Sequence, residues 1–332
     1  MPIDYVILAG ALAVILIGAE LFTNGIEWIA WHLNLGDGTV GSILAAVGTA
    51  LPETIIPILA IVLGTSAEAE DIGIGAIIGS SFMLATLALF VVGASIAFFS
   101  LQGRRSIVVN VDRRVIGRDL GFFIVAYGAT ILAAVLNRRE LQLGLAMALV
   151  LVYLGYIMRT VSQDEATTHS LRQLYVVPEA DPPHILLVTF QILASLAVII
   201  VGARYFVSSI EAIAATVLIP ALVFSLLLTP FATELPEKLN SVIWVRRQKD
   251  TLALGNITGA MVFQSCILPA AGILLTPWQL TSPALIAAAL GLASAIAIYL
   301  LLRVRGRIEY WQLMMAGLVY FAFLAYTLLG QR

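Results

Sequence analysis

The chain has 332 residues, 61% of them hydrophobic and only 11% charged. An ordinary soluble domain carries about a quarter of its residues as charges, so the composition excludes a soluble protein and points to a polytopic membrane protein. The formal net charge of −2 gives no case for nucleic acid, and the single cysteine, Cys266, excludes an internal disulfide framework and a cysteine-based metal cluster.

Apolar runs of roughly 17–25 residues can cross a bilayer as helices. Ten are predicted, at about 5–30, 39–63, 71–99, 119–136, 141–158, 185–207, 213–245, 251–275, 283–302 and 310–329. The first is too long for the apolar stretch of a secretion signal and has no basic segment before it, so it reads as the first span. The third and seventh runs are long and have room for a break or a tilt. A polar connector, residues 159–184, separates a first five-helix unit, residues 1–158, from a second, residues 185–332.

Basic residues mark the cytoplasmic side of a membrane protein. Arg104, Arg105, Arg113, Arg114 and Arg118 follow the third span, Arg246, Arg247 and Lys249 the seventh, and Arg303, Arg305 and Arg307 the ninth. One orientation puts all of them inside: N-terminus out, C-terminus out, in what is expected to be a prokaryotic cytoplasmic (inner) membrane. Topology suffices to explain the arginines at 104–118, which also fit contact with anionic lipid.

The two units repeat. Ile17-Gly18-Ala19-Glu20-Leu21-Phe22 matches Val201-Gly202-Ala203-Arg204-Tyr205-Phe206 at an offset of 184 residues, which is also the separation of Glu53 from Glu237. Gly75-Ala76-Ile77-Ile78-Gly79 matches Gly255-Asn256-Ile257-Thr258-Gly259 at 180. Five spans separate the copies, so they are expected to be inverted, an arrangement typical of secondary transporters with a site at the repeat interface. The fold class expected is therefore an all-α polytopic membrane protein of ten transmembrane helices in two inverted five-helix repeats.

Glu53 and Glu237 lie within apolar segments, where an ionised side chain costs about 2.5–3.5 kcal/mol on insertion scales and is usually functional. Each follows a proline, which removes a backbone donor and frees the carbonyl four residues earlier, Gly48 for Pro52 and Ala232 for Pro236. Thr49 and Glu53 share a helix face, as do Thr233 and Glu237. Such oxygens, brought together from two copies, suit a hard cation such as calcium, or sodium with fewer ligands. A proline kink with a structural carboxylate is the plainer reading of one copy alone; two matched copies favour a site. If the glycine-rich third and eighth helices pack closely against the second and seventh, Ser80, Ser81, Asn256 and Gln264 become further candidate ligands. Glu234 and Lys238 stand at i and i+4, the favourable order for a helical ion pair. Lys238 is either a charge partner standing where a cation would sit or a lysine reaching along its stem to the headgroups. Glu27 and Glu211 correspond in the repeat and either rim an outer entrance or are ordinary interfacial charges, the plainer reading. The three histidines, His32, His169 and His184, show no metal-binding spacing.

Gly48-Thr49-Ala50-Leu51-Pro52-Glu53 and Ala232-Thr233-Glu234-Leu235-Pro236-Glu237 resemble the paired Gly-Thr-Ser-Leu-Pro-Glu motifs of the calcium/cation antiporter superfamily. Gly255-Asn256-Ile257-Thr258-Gly259 is similar to the glycine- and asparagine-containing stretch that comes after them in its sodium/calcium exchangers. The resemblance covers nearly the whole chain. It implies a transporter, not an enzyme, that binds calcium and sodium in turn at Glu53 and Glu237 while the first and sixth helices slide. No resident cofactor is implied; the partners are the transported ions and the lipid bilayer. The chain departs from the pattern at Ala50, Glu234, Ala76, Ala260, Met261 and Leu84, where oxygen ligands are lost or an acid gained. Proton coupling, another cation, or a relative that has lost transport are the alternatives these departures leave.

Overall fold

Inside a bilayer the backbone has no water to bond to, so a spanning chain closes its hydrogen bonds within helices or a closed barrel. This chain uses helices. The computed structural model describes residues 2–32, 51–64, 66–136, 138–161, 173–178, 182–217 and 220–329. Within these run α1 (Pro2–His32), α2 (Leu51–Leu63), α3 (Ala67–Met83), a π-helical turn (Leu84–Ala88), α4 (Leu89–Leu101), α5 (Arg113–Val135), α6 (Arg139–Val161), α7 (Ile185–Val217), α8 (Ala221–Thr233), α9 (Leu235–Arg246), α10 (Asp250–Leu275), α11 (Ser282–Arg305) and α12 (Tyr310–Leu329). Seven helical stretches among them are long and apolar enough to cross a membrane, and Pro52–Leu63 and Ala221–Thr233 are shorter apolar helices. Most of the connector, with His169, and the motif residues Val47, Gly48, Thr49 and Ala50 lie outside the described residues.

The third expected run is continuous from α3 through the π turn into α4. The seventh is not. Helix α7 extends to Val217, ten residues beyond its expected end, and the remainder of the seventh run is divided into α8 and α9 at Glu234. Pro236 has no N–H to continue the ladder, and the chain restarts as a new helix there. At the π turn, Thr86 Oγ1 donates to Phe82 O at 2.6 Å and Ser294 Oγ of α11 donates to Ala85 O at 2.6 Å. These bonds use carbonyls that the widened turn presents differently from an α-helix.

Two large apolar clusters, with a third small one at Trp28, Leu174 and Val188, organise the packing of the described residues. The larger joins α3, α4, α5, α6, α8, α10, α11 and α12. The second belongs mainly to α1, α2 and α7, through Ile15, Ile56, Ile199 and Phe206. Helix α1 is the least enclosed of the long spans, α6 and α7 follow equally, and α10 is the most enclosed; Ile3, Val6, Leu186 and Phe190 present apolar surface outward. Where α1 and α7 cross, a Cβ on Gly18 would fall 2.7 Å from Ile199 Cγ1, and one on Gly202 would fall 2.9 Å from Ile15 Cγ1. The contact is reciprocal: Gly18 and Gly202, and Ile15 and Ile199, are pairs at the 184-residue offset.

Helix α3 approaches α8 at backbone distance. A Cβ on Gly75 would lie 2.3 Å from Leu222 O, and one on Gly79 would lie 2.1 Å from Leu226 O. Pro230 leaves that second carbonyl without its helical donor. The eighth-helix glycines behave otherwise. Gly255 and Gly259 have only Val115 Cγ1 at 3.9 Å and Tyr156 Oη at 3.5 Å, so α10 does not need them to reach α9, and the close packing expected there is confined to α3. At the end rich in arginine, buried Arg105 binds both oxygens of Asp250 at 2.7 and 3.0 Å, fixing the segment after α4 to the start of α10.

Candidate ion site

The chemistry gathers where α2, α3, α10 and the α8–α9 break meet. Helix α2 supplies Glu53 and α10 supplies Gln264, whose amide Nε2 donates to Glu53 Oε1 at 3.2 Å. The break supplies Glu234, Glu237 and Lys238, because ending α8 at Thr233 and restarting at Leu235 places three charged side chains in and beside a single turn. All five of these polar side chains are buried. Glu53 lies within repulsive range of both Glu237 and Glu234.

Lys238 does not reach the headgroups; it is buried among the acids. Its Nζ donates to Glu234 Oε2 at 3.1 Å, to Pro230 O at 3.3 Å and to Met83 Sδ of α3 at 3.3 Å, and lies 5.9 Å from the centre of the Phe231 ring. Three carboxylates and one ammonium therefore share the site, a formal charge of about −2 when all are ionised.

The hydrogen-bond balance is one-sided. Glu53 Oε2, Glu234 Oε1, Glu237 Oε2, Gln264 Oε1 and Ser81 Oγ are buried with no partner among the described residues, and Gln312 Nε2 is the sixth such atom. Five of the six are thus oxygens on the candidate residues, and buried polar atoms normally find partners. Among the described residues no three His, Cys, Asp or Glu side chains gather as a metal centre; the set is two acids, an amide, a hydroxyl and an acid already held by lysine.

The other candidates divide. Thr233 is buried, but its hydroxyl donates to Thr229 O at 3.0 Å, leaving only its lone pairs for a ligand. Ser80 is buried one residue before Ser81 and makes no side-chain hydrogen bond among the described residues. Asn256 donates to Glu237 O at 3.1 Å and Ser241 Oγ at 3.2 Å, which seats α9 rather than offering a ligand. Thr49 lies outside the described residues. Glu211 accepts from Ser66 Oγ at 2.9 Å in an exposed setting. Sequence reasoning passed over Met83 and the Pro230 carbonyl. It also passed over Pro57, which stands four residues after Glu53 and leaves the Glu53 carbonyl without a helical donor; that signal was there in the spacing.

The sodium/calcium exchanger protein family matches the chain over residues 3–161 and 187–329. An uncharacterized membrane protein of Methanocaldococcus jannaschii is 26% identical over 246 residues, 74% of this chain and 73% of that protein. Of solved structures, the H+/Ca2+ exchanger CAX is similar with a TM-score of 0.76 at 16% identity, covering 98% of this chain and 82% of its own. The sodium-calcium exchanger NCX_Mj, soaked with sodium and strontium, is similar with a TM-score of 0.59 at 22% identity, covering 97% of each. At these identities the structural likeness is one of fold.

Proposed function

This chain belongs to the sodium/calcium exchanger protein family, whose members move cations across membranes, and on that premise we propose that it exchanges calcium for sodium at one site built on Glu53 and Glu237. The observation that carries the proposal is the set of five buried oxygens without donors among the described residues. Left as they are, such atoms cost stability; around a hard cation they become ligands. Calcium takes six to eight oxygens. The Glu53 and Ala232 carbonyls, freed by Pro57 and Pro236, together with the Thr233 hydroxyl oxygen, extend the set in that direction. The formal charge of about −2 is matched by one divalent ion.

Access alternates as α1 and α7 move across the remaining helices. The apolar cluster they share with α2 and their reciprocal crossing support this motion and the inverted pairing of the halves, and the distribution of arginines supports N-out and C-out. Lys238 neutralises Glu234 as a tethered cation, so the pair stays behind when the transported ions change.

A second reading, proton in place of sodium, is favoured by Leu84. It corresponds to Gln264 in the repeat and is wholly buried in the π turn, an apolar side chain at a position where a sodium ligand would otherwise stand. Calcium uptake into reconstituted vesicles under separately imposed sodium and proton gradients tests both. Uptake driven by sodium supports the first reading, uptake driven only by protons the second, and uptake under neither gradient defeats calcium antiport. Wild-type uptake in Glu53→Gln and Glu237→Gln would place the site elsewhere.

A further inference from the structure

At the end of the helices that the arginine distribution assigns to the cytoplasm, α5, α6 and α11 surround an open cleft of about 680 Å³. Its mouth carries Arg113, Arg114, Arg118, Arg159 and Arg303. Two of the carboxylates beside them are Asp119, which pairs with Arg118 at 3.1 Å, and Asp112, which accepts from Arg114 N at 2.7 Å; Arg118 and Arg159 make further polar contacts. Among the described residues that line the cleft, five are arginines and none is an acid.

Three of the arginines are held in place. Arg118 Cζ lies 5.4 Å from the centre of the Tyr156 ring. Arg303 Cζ lies 5.3 Å from that of Tyr299 and its Nε donates to Tyr299 Oη at 3.1 Å. Arg113 packs on Gly306, where a Cβ would fall 2.7 Å from Arg113 Nη1 and where φ is +64°, a conformation glycine takes without strain. Planar guanidinium groups positioned in this way match the oxygens of a phosphate.

Away from the mouth the cleft becomes apolar, along Phe122, Val125 and Val152. Its α5 wall includes two glycines: a Cβ on Gly117 or Gly121 would meet nothing closer than Leu302 Cδ2 at 3.8 Å and Tyr299 Cε2 at 3.9 Å. From Arg113 to Val125 the helix rises about 18 Å, close to the roughly 15 Å of one hydrocarbon leaflet. Val125 is 62% exposed, so the deep end opens sideways to acyl chains. A soluble anion would use only the arginine end; the length and the sideways opening ask for a molecule with a tail.

We propose that this cleft is a binding site for one anionic phospholipid, its phosphate held by the arginines and an acyl chain laid along the Gly117–Gly121–Val125 face. The site also reaches the transport helices. Asp119, the partner of Arg118, accepts from Thr258 Oγ1 of α10 at 2.8 Å, and α10 carries Gln264. The proposal does not depend on which ions are exchanged.

The test uses the purified full chain in a neutral detergent. The unfolding midpoint is measured with added phosphatidylglycerol, phosphatidylcholine or inorganic phosphate, and retained lipid is counted by native mass spectrometry. Phosphatidylglycerol is expected to raise the midpoint and to be retained, the other two not. Arg114→Gln with Arg303→Gln should weaken that response roughly tenfold or more, the loss of charge-assisted bonds. Gly121→Leu, which keeps every arginine and fills the apolar wall, should remove it too, and each variant's lipid-free midpoint reports whether it is folded. An equal shift with phosphatidylcholine, full reproduction by inorganic phosphate, or an undiminished response in the double arginine variant would each overturn the proposal.

Discussion

Glu53 and Glu237 stand at equivalent positions of the repeat, yet they live in unlike surroundings. Glu53 is met by a neutral amide, Gln264, across 211 residues of sequence. Glu237 shares its turn with a second acid and a base, and the base is committed to the second acid. One half keeps its acid available by surrounding it with dipoles; the other adds a carboxylate and cancels it within the same helix. The site therefore gains a charged pair without gaining net charge, and the total stays near that of two glutamates.

The sharpest way to break this balance is to remove one partner of the pair. Lys238→Ala leaves Glu234 buried and uncompensated and is expected to lower stability by about 3–5 kcal/mol, read as thermal unfolding in detergent. Glu234→Gln with Lys238→Met removes both charges and should recover most of that loss. If the single and double variants unfold alike, the pair is not self-contained. In an additional Glu237→Gln background the Lys238→Ala loss should shrink, since the charge count returns to its original value; a double-mutant cycle measures that coupling.

The next effect falls on transport. Glu53→Gln and Glu237→Gln are each expected to weaken calcium uptake by at least roughly 100-fold, beyond the 10–100-fold typical of lost second-shell support. Loss in only one of them would show that the halves contribute unequally to binding. Smaller still, Gln264→Ala removes the amide from Glu53 and should weaken calcium affinity by about tenfold with the fold intact, measured as the concentration dependence of uptake. An unchanged affinity would mean that the amide serves packing alone.

Much of this was legible in the sequence. Seven helices long and apolar enough to cross a membrane follow from apolar length among the described residues, and both central acids stand out because charge inside such lengths is costly. The single offset of the repeat relates the Gly18–Ile199 contact to the Gly202–Ile15 contact, although the crossing itself was not read from it. Other features had no local signature. The run through 213–245 holds Pro220, Pro230 and Pro236 and does not show which of them interrupts it: Pro230 is carried inside α8, while the chain restarts as α9 around Pro236. The place of Lys238 was open because its stem can follow either route; packing against Met83 and Phe231 decided it. The bond from Gln264 to Glu53 joins distant helices, and no periodicity reports such a pair. The glycines of α3 and α10 look alike in sequence, but only those of α3 face a backbone.

The crossing of α1 and α7 has one more consequence. Exchanging the two halves maps Gly18 onto Gly202 and Ile15 onto Ile199, so the contact is its own mirror in the repeat. In the proposed cycle, opening inward and opening outward are related by that same exchange. A contact unchanged by it contributes equally to both states and cannot set a resting direction. The bias has to come from residues that the exchange does not preserve, and at the ion site these include Gln264, whose counterpart is Leu84, and Glu234 and Lys238, whose counterparts are Ala50 and Thr54. The ion pair that leaves the charge of the site unaltered is thus placed to tilt the balance between its two open faces.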